Sequence, residues 1–147
     1  MIPRILGFAI AAVATTSIVS SAAAQLSSPE TITPPSDTIG LTPIAGEIRN
    51  VQVIRVPKDK ATSGAATKVT LNFKLQGCLD SLLPLITHSE VQGRRATLYI
   101  TALNAHSEGS KTARCVAVPQ ANSEVTIPGS FQRDRLRVVF VGASANP

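Results

Sequence analysis

Tryptophan is absent from this 147-residue sequence, tyrosine occurs once, and aromatic residues together make up 3%. Base-stacking platforms, aromatic cofactor cages and aromatic-rich grooves therefore have little to be built from. Charged residues are also scarce, at 16%, whereas hydrophobic residues reach 44%. That balance excludes a chain disordered throughout. The one methionine is Met1, so a thioether copper site is excluded. The two histidines and two cysteines form no C-x-x-C and no close Cys/His pairing of the kind zinc sites use. No G-x-S-x-G nucleophile elbow occurs. No N-x-S/T sequon follows residue 24, so N-linked glycan is excluded.

The start of the chain reads as an address. Arg4 is the only charge before Glu30, and an apolar run from Ile5 to Ala14 follows it. Small residues then lead to Ala22-Ala23-Ala24, an A-x-A cleavage pattern that makes Gln25 the first residue of the exported chain. Thr15, Thr16, Ser17, Ser20 and Ser21 weaken the alternative of a retained spanning helix, which needs about 20 apolar residues. The expectation is a signal peptide over 1–24 and a periplasmic or extracellular destination. No transmembrane segment is expected in the mature chain, because no later run approaches spanning length.

Cys78 and Cys115 are the only cysteines. An oxidising destination favours their pairing as a structural disulfide. A metal pair or a redox dithiol would normally bring a close Cys or His neighbour, and neither residue has one.

Residues 25–46 carry Pro29, Pro34, Pro35 and Pro43 among Ser and Thr, with few large apolar residues. This composition predicts a disordered tether, with Thr31, Thr33, Ser36, Thr38 and Thr42 available for O-linked sugar. From Glu47 the pattern changes. Val69, Leu71, Phe73 and Leu75 alternate with polar residues, as do Ala96, Leu98, Ile100 and Ala102, and then Leu136, Val138 and Phe140. Strict period two is the mark of a half-buried strand. Weaker strand candidates are 48–56, 86–92, 113–118 and 124–128. Gln92-Gly93-Arg94 predicts a tight hairpin, 104–111 a longer loop, and 119–122 and 128–130 further turns. One helical turn is expected at 78–83 before Pro84. Seven short strands over 47–147 predict a single all-β domain, a two-sheet β-sandwich with one disulfide.

Three stretches carry a resemblance: Leu75-Gln76-Gly77-Cys78-Leu79-Asp80, Ala113-Arg114-Cys115-Val116-Ala117-Val118-Pro119 and Val125-Thr126-Ile127-Pro128-Gly129. With the strand-like Phe131 to Gly142, they resemble small exported bacterial immunoglobulin-like domains. Those domains show a Gly-Cys after one strand, an Ala-x-Cys before a proline and a final G-x-Y-x-V-x-V-x-G strand. The Tyr of that last pattern is missing here. The resemblance implies an immunoglobulin-like fold in an exported setting. It implies no catalytic residue, metal or cofactor.

Candidate chemistry is sparse. His88 and His106 stand with Ser81, Ser89, Ser107 and Asp80 in the sequence, but no nucleophile context surrounds them. They are expected to be surface or loop histidines, and the protein is expected not to be an enzyme. The sharper feature is basic. Formal net charge is +5, and Arg133, Arg135 and Arg137 alternate toward the C-terminus while Arg94 and Arg95 sit at the predicted hairpin. Guanidiniums on alternate residues of one strand would lie about 7 Å apart and suit carboxylate, sulfate or phosphate. The expected partner is an anionic glycan or lipid, or a protein of the cell envelope. Nucleic acid is disfavoured by export and by the shortage of aromatics. The expected function is a non-enzymatic interaction module; the alternative is a secreted or periplasmic inhibitor or ligand-binding domain acting on an envelope enzyme.

Overall fold

A computed structural model describes residues 31–57 and 64–144. The expected signal peptide, and the first part of the expected tether, lie outside the described residues. No helix among the described residues is long and apolar enough to cross a membrane.

The described chain is all-β. Its strands are β1 (Thr38–Pro43), β2 (Gly46–Arg55), β3 (Ala65–Lys74), β4 (Ser81–Leu82), β5 (Ile86–Gln92), β6 (Arg95–Thr101), β7 (Leu103–Ser107), β8 (Gln120–Pro128) and β9 (Leu136–Phe140). Two 3-10 turns, Glu108–Lys111 and Arg133–Arg135, are its only helical pieces among the described residues. Three three-stranded sheets result, with orders β1-β7-β4, β2-β3-β8 and β5-β6-β9. All pairings are antiparallel except β6 with β9, which is parallel.

β3 is hydrogen-bonded along both edges, to β2 and β8. Its side chains at Val69, Leu71 and Phe73 are fully buried, so the predicted alternation is the core-facing stripe. β6 buries Ala96, Leu98 and Ile100 in the same way and turns Arg95, Thr97 and Tyr99 outward. These residues form one cluster with Val125 and Ile127 of β8 and with Ile44, Ala102, Phe131 and Leu136. The rings of Phe73 and Phe140 meet edge-to-face at 5.9 Å, which joins β3 to β9 across that core. Each fully buried Leu, Ile or Phe contributes about 1.5–3 kcal/mol. Thr67 is the one polar side chain on the inner stripe of β3. It is satisfied, because its hydroxyl donates to the Gly129 carbonyl at 2.8 Å and accepts from Phe131 N at 2.8 Å.

Only Ala102 separates β6 from β7, so one nearly continuous strand passes from the β5-β6-β9 sheet into the β1-β7-β4 sheet. Ile44 donates its N–H to the Ala102 carbonyl at 2.9 Å, where β1 gives way to β2.

Several expectations are corrected. Nine strands are described instead of seven. β1 lies inside the stretch read as a tether. Ile39 and Leu41 stand two apart but remain half-exposed, and β1 is held by its backbone ladder to β7 rather than by a buried apolar stripe. Residues 104–107, read as loop, belong to β7, and of 119–122, read as a turn, residues 120–122 open β8. Residues 113–118 are not a strand: Val116 is wholly exposed and Val118 largely so, leaving no face to bury. The helical turn expected at 78–83 is a short turn followed by β4. The last strand begins at Leu136. The Arg135 N–H donates to the Gln132 carbonyl at 3.0 Å, which closes a 3-10 turn around Arg133 and Arg135.

Candidate functional site

Cys78 and Cys115 are joined, with 5.4 Å between their Cα atoms and 37 residues between them in sequence. The bond ties the turn after β3 to the loop before β8. It is a staple: both cysteines are bonded, so neither is free to act as a nucleophile.

The arginines do not form the expected ladder along one strand, because Arg133 and Arg135 lie in the 3-10 turn. The fold nevertheless gathers three of them. Arg95 opens β6, Arg135 closes the 3-10 turn and Arg137 lies on β9, opposite Thr97. Together with Glu90 and Asp134 they line one open cleft of about 460 Å³. The parallel pairing of β6 with β9 causes this convergence. It sets the start of β6, next to the hairpin, beside the start of β9, next to the 3-10 turn. The hairpin is made by Gly93-Arg94, and Gly93 takes φ +60°, the backbone that a glycine-first two-residue turn requires. Arg94 faces a neighbouring hollow that Arg135 also lines. Arg133 lines neither.

Charge in the cleft is mixed but unbalanced, with three guanidiniums against two carboxylates. Arg135 Nε lies 3.2 Å from the Asp134 carboxylate. Both side chains are well exposed, and such surface pairs hold their partners weakly. Arg95 and Arg137 form no ion pair among the described residues.

The histidines lie apart, His88 on β5 and His106 on β7. His88 is exposed, stacks on Tyr99 at 6.2 Å between centroids and approaches Glu90 at 3.8 Å. His106 is different from expectation: its Nδ1 lies 2.9 Å from the carboxylate of Asp80. Asp80 is a buried hub. It accepts hydrogen bonds from Asn104 Nδ2 at 2.7 Å, Ser110 Oγ at 2.6 Å and Ser107 N at 3.1 Å. Burial pushes its carboxyl up, but the bonds from Ser110, Asn104, His106 and the Ser107 backbone outweigh that and hold it well below the usual carboxylate range. Gly77 is needed beside it, since an added Cβ would lie 2.5 Å from Asp80 Oδ1.

An acid, a histidine and serines thus meet, but not in catalytic order. The Ser110 hydroxyl donates to Asp80, and the Ser107 hydroxyl donates to the Asp37 carboxylate. Neither donates to His106, so the bond from nucleophile to base is missing. What the cluster does is join β7, the 3-10 turn at Glu108–Lys111 and the Cys78 turn, with Asp37 adding the approach to β1. The Asn104–His106 face of β7 carries polar side chains toward Asp80, so hydrophobic periodicity could not reveal it. Among the described residues no three His, Cys, Asp or Glu side chains are grouped to hold a metal ion.

Comparison with known proteins returns no matching family model, no matching curated protein and no matching solved structure.

Proposed function

We propose that this chain is an exported, non-enzymatic interaction module, a β-sandwich of immunoglobulin-like architecture, whose Arg95–Arg135–Arg137 cleft binds anionic groups of a glycan or lipid at the cell envelope. One observation carries the reading: three guanidiniums, Arg95 from β6 and, from one contiguous segment, Arg135 of the turn that leads into β9 and Arg137 of β9, converge on one open cleft, and two of them have no carboxylate partner among the described residues. Planar guanidiniums match sulfate, carboxylate and phosphate oxygens in bidentate fashion. The Cys78–Cys115 bond supports the exported setting, since disulfides persist in oxidising compartments.

Salt elution from immobilised heparin tests the reading. The unsubstituted protein is retained and released by salt. The Arg95→Ala/Arg135→Ala/Arg137→Ala variant elutes at clearly lower salt, with a log–log salt slope smaller by up to about 3. Arg133→Ala, outside the cleft, elutes close to the unsubstituted protein. Equal retention of the triple variant overturns the proposal.

A second reading, an inhibitor or ligand-binding domain that engages an envelope enzyme, is favoured by the loop at 113–119. Cys115 anchors this loop while Val116 is fully exposed and Val118 largely so. Under that reading Val116→Asp abolishes capture of an envelope enzyme and leaves heparin retention intact.

A further inference from the structure

We propose that β5 is a docking edge for a second copy of this chain, the two β5 strands pairing antiparallel about Ser89. The inference does not depend on what the arginine cleft binds.

Among the described residues β5 pairs with β6 alone, so its other edge carries unpaired backbone groups. Such edges recruit strands unless they are protected by charge, proline, a bulge or shortness. Each of the other edges has at least one of these features. β2 has a register shift between Ile48 and Asn50 and carries Glu47, Arg49 and Arg55. β1 has a shift between Thr38 and Gly40 and ends at Pro43. β4 is two residues long, β8 carries Glu124 and ends at Pro128, and β9 is five residues long with Arg137 as its second residue. β5 has seven residues in unbroken register, no proline, no Lys or Arg, and no buried side chain.

The occupant follows from the charge pattern of β5 itself. Antiparallel pairing centred on Ser89 uses every residue of the strand. It sets Ile86 opposite Gln92, Thr87 opposite Val91 and His88 opposite Glu90, each pair occurring twice by the two-fold symmetry. Shifting the centre to Glu90 would place two carboxylates face to face, and shifting it to His88 would place two imidazoles so. Of these three, only the Ser89 centre sets each imidazole against a carboxylate and neither group against its own copy. The product is a six-stranded sheet, β9-β6-β5 continued by its copy, of the β-augmentation type.

Sedimentation equilibrium tests this. The mass of the purified protein rises from one chain toward two as concentration increases to about 1 mM, as expected for a small, weak interface. His88→Glu, which sets Glu opposite Glu90, weakens association by roughly tenfold. His88→Glu/Glu90→Lys restores it, while circular dichroism shows the same β content throughout. In the unsubstituted protein, amide exchange along β5 slows with concentration. A single-chain mass up to about 1 mM, association indifferent to both substitutions, or β5 exchange independent of concentration overturns the proposal.

Discussion

Asp80 and Asn104 meet through a 2.7 Å hydrogen bond at a point where neither side chain reaches solvent. Asn104 also accepts from Gln76 N at 3.2 Å, so the pair links the chain before Cys78 to β7. Removing one partner of a buried polar pair leaves donors without acceptors, which costs more than the bond itself is worth. Asp80→Ala is therefore expected to lower unfolding free energy by about 2–4 kcal/mol. Urea denaturation measures this, and a change under about 0.5 kcal/mol would remove Asp80 from the role of hub.

The same carboxylate sets an acid limit. Its pKa in the folded protein is held below the ordinary value of 3.8, so the unfolded chain binds the proton more readily. Stability from this group is complete above that ordinary value and is lost as pH falls beneath it. Thermal melts between about pH 5 and pH 2 should show a steep decline that is shallower in Asp80→Asn. Parallel slopes for the two proteins would place the acid sensitivity elsewhere.

The disulfide closes 37 residues of sequence. On a chain-entropy account, its removal destabilises by about 4 kcal/mol. Cys78→Ser/Cys115→Ser should unfold at correspondingly lower denaturant, and the oxidised native protein should have a mass about 2 Da below its fully reduced form. Two alkylatable thiols in the native protein would contradict the bond.

Phe73 is wholly buried and meets Phe140 edge-to-face. Phe73→Ala removes a large side chain from the contact between sheets and should cost about 3–5 kcal/mol by chemical denaturation. Phe140→Ala, at a half-buried position, should cost less. The reverse order would misplace the core.

How much of this could be read from the residues depends on what holds each segment. β3 and β6 were legible because apolar side chains at every second position face one core. The Cys78–Cys115 bond was legible because the sequence offers those cysteines no other partner. β1 was hidden because Ile39 and Leu41 stay half-exposed and Asp37 fastens its start to Ser107. β7 was hidden because Asn104 and His106 turn toward a carboxylate rather than an apolar core. The arginine cleft was legible as residues and not as geometry. Arg133 and Arg135 alternate like strand residues, but the Gln132–Arg135 hydrogen bond winds them into a turn. The parallel β6–β9 pairing that draws in Arg95 is a long-range contact that no local pattern encodes.

The claim that anions bind at Arg95, Arg135 and Arg137 is tested most directly by nuclear magnetic resonance. A heparin-derived oligosaccharide is titrated into isotope-labelled protein while backbone amide and arginine Nε–Hε signals are followed. The account predicts saturable shifts confined to Arg95, Thr97 and the segment from Asp134 to Arg137, abolished by moderate salt. Unchanged spectra, or shifts centred on the Cys115 loop instead, would contradict it.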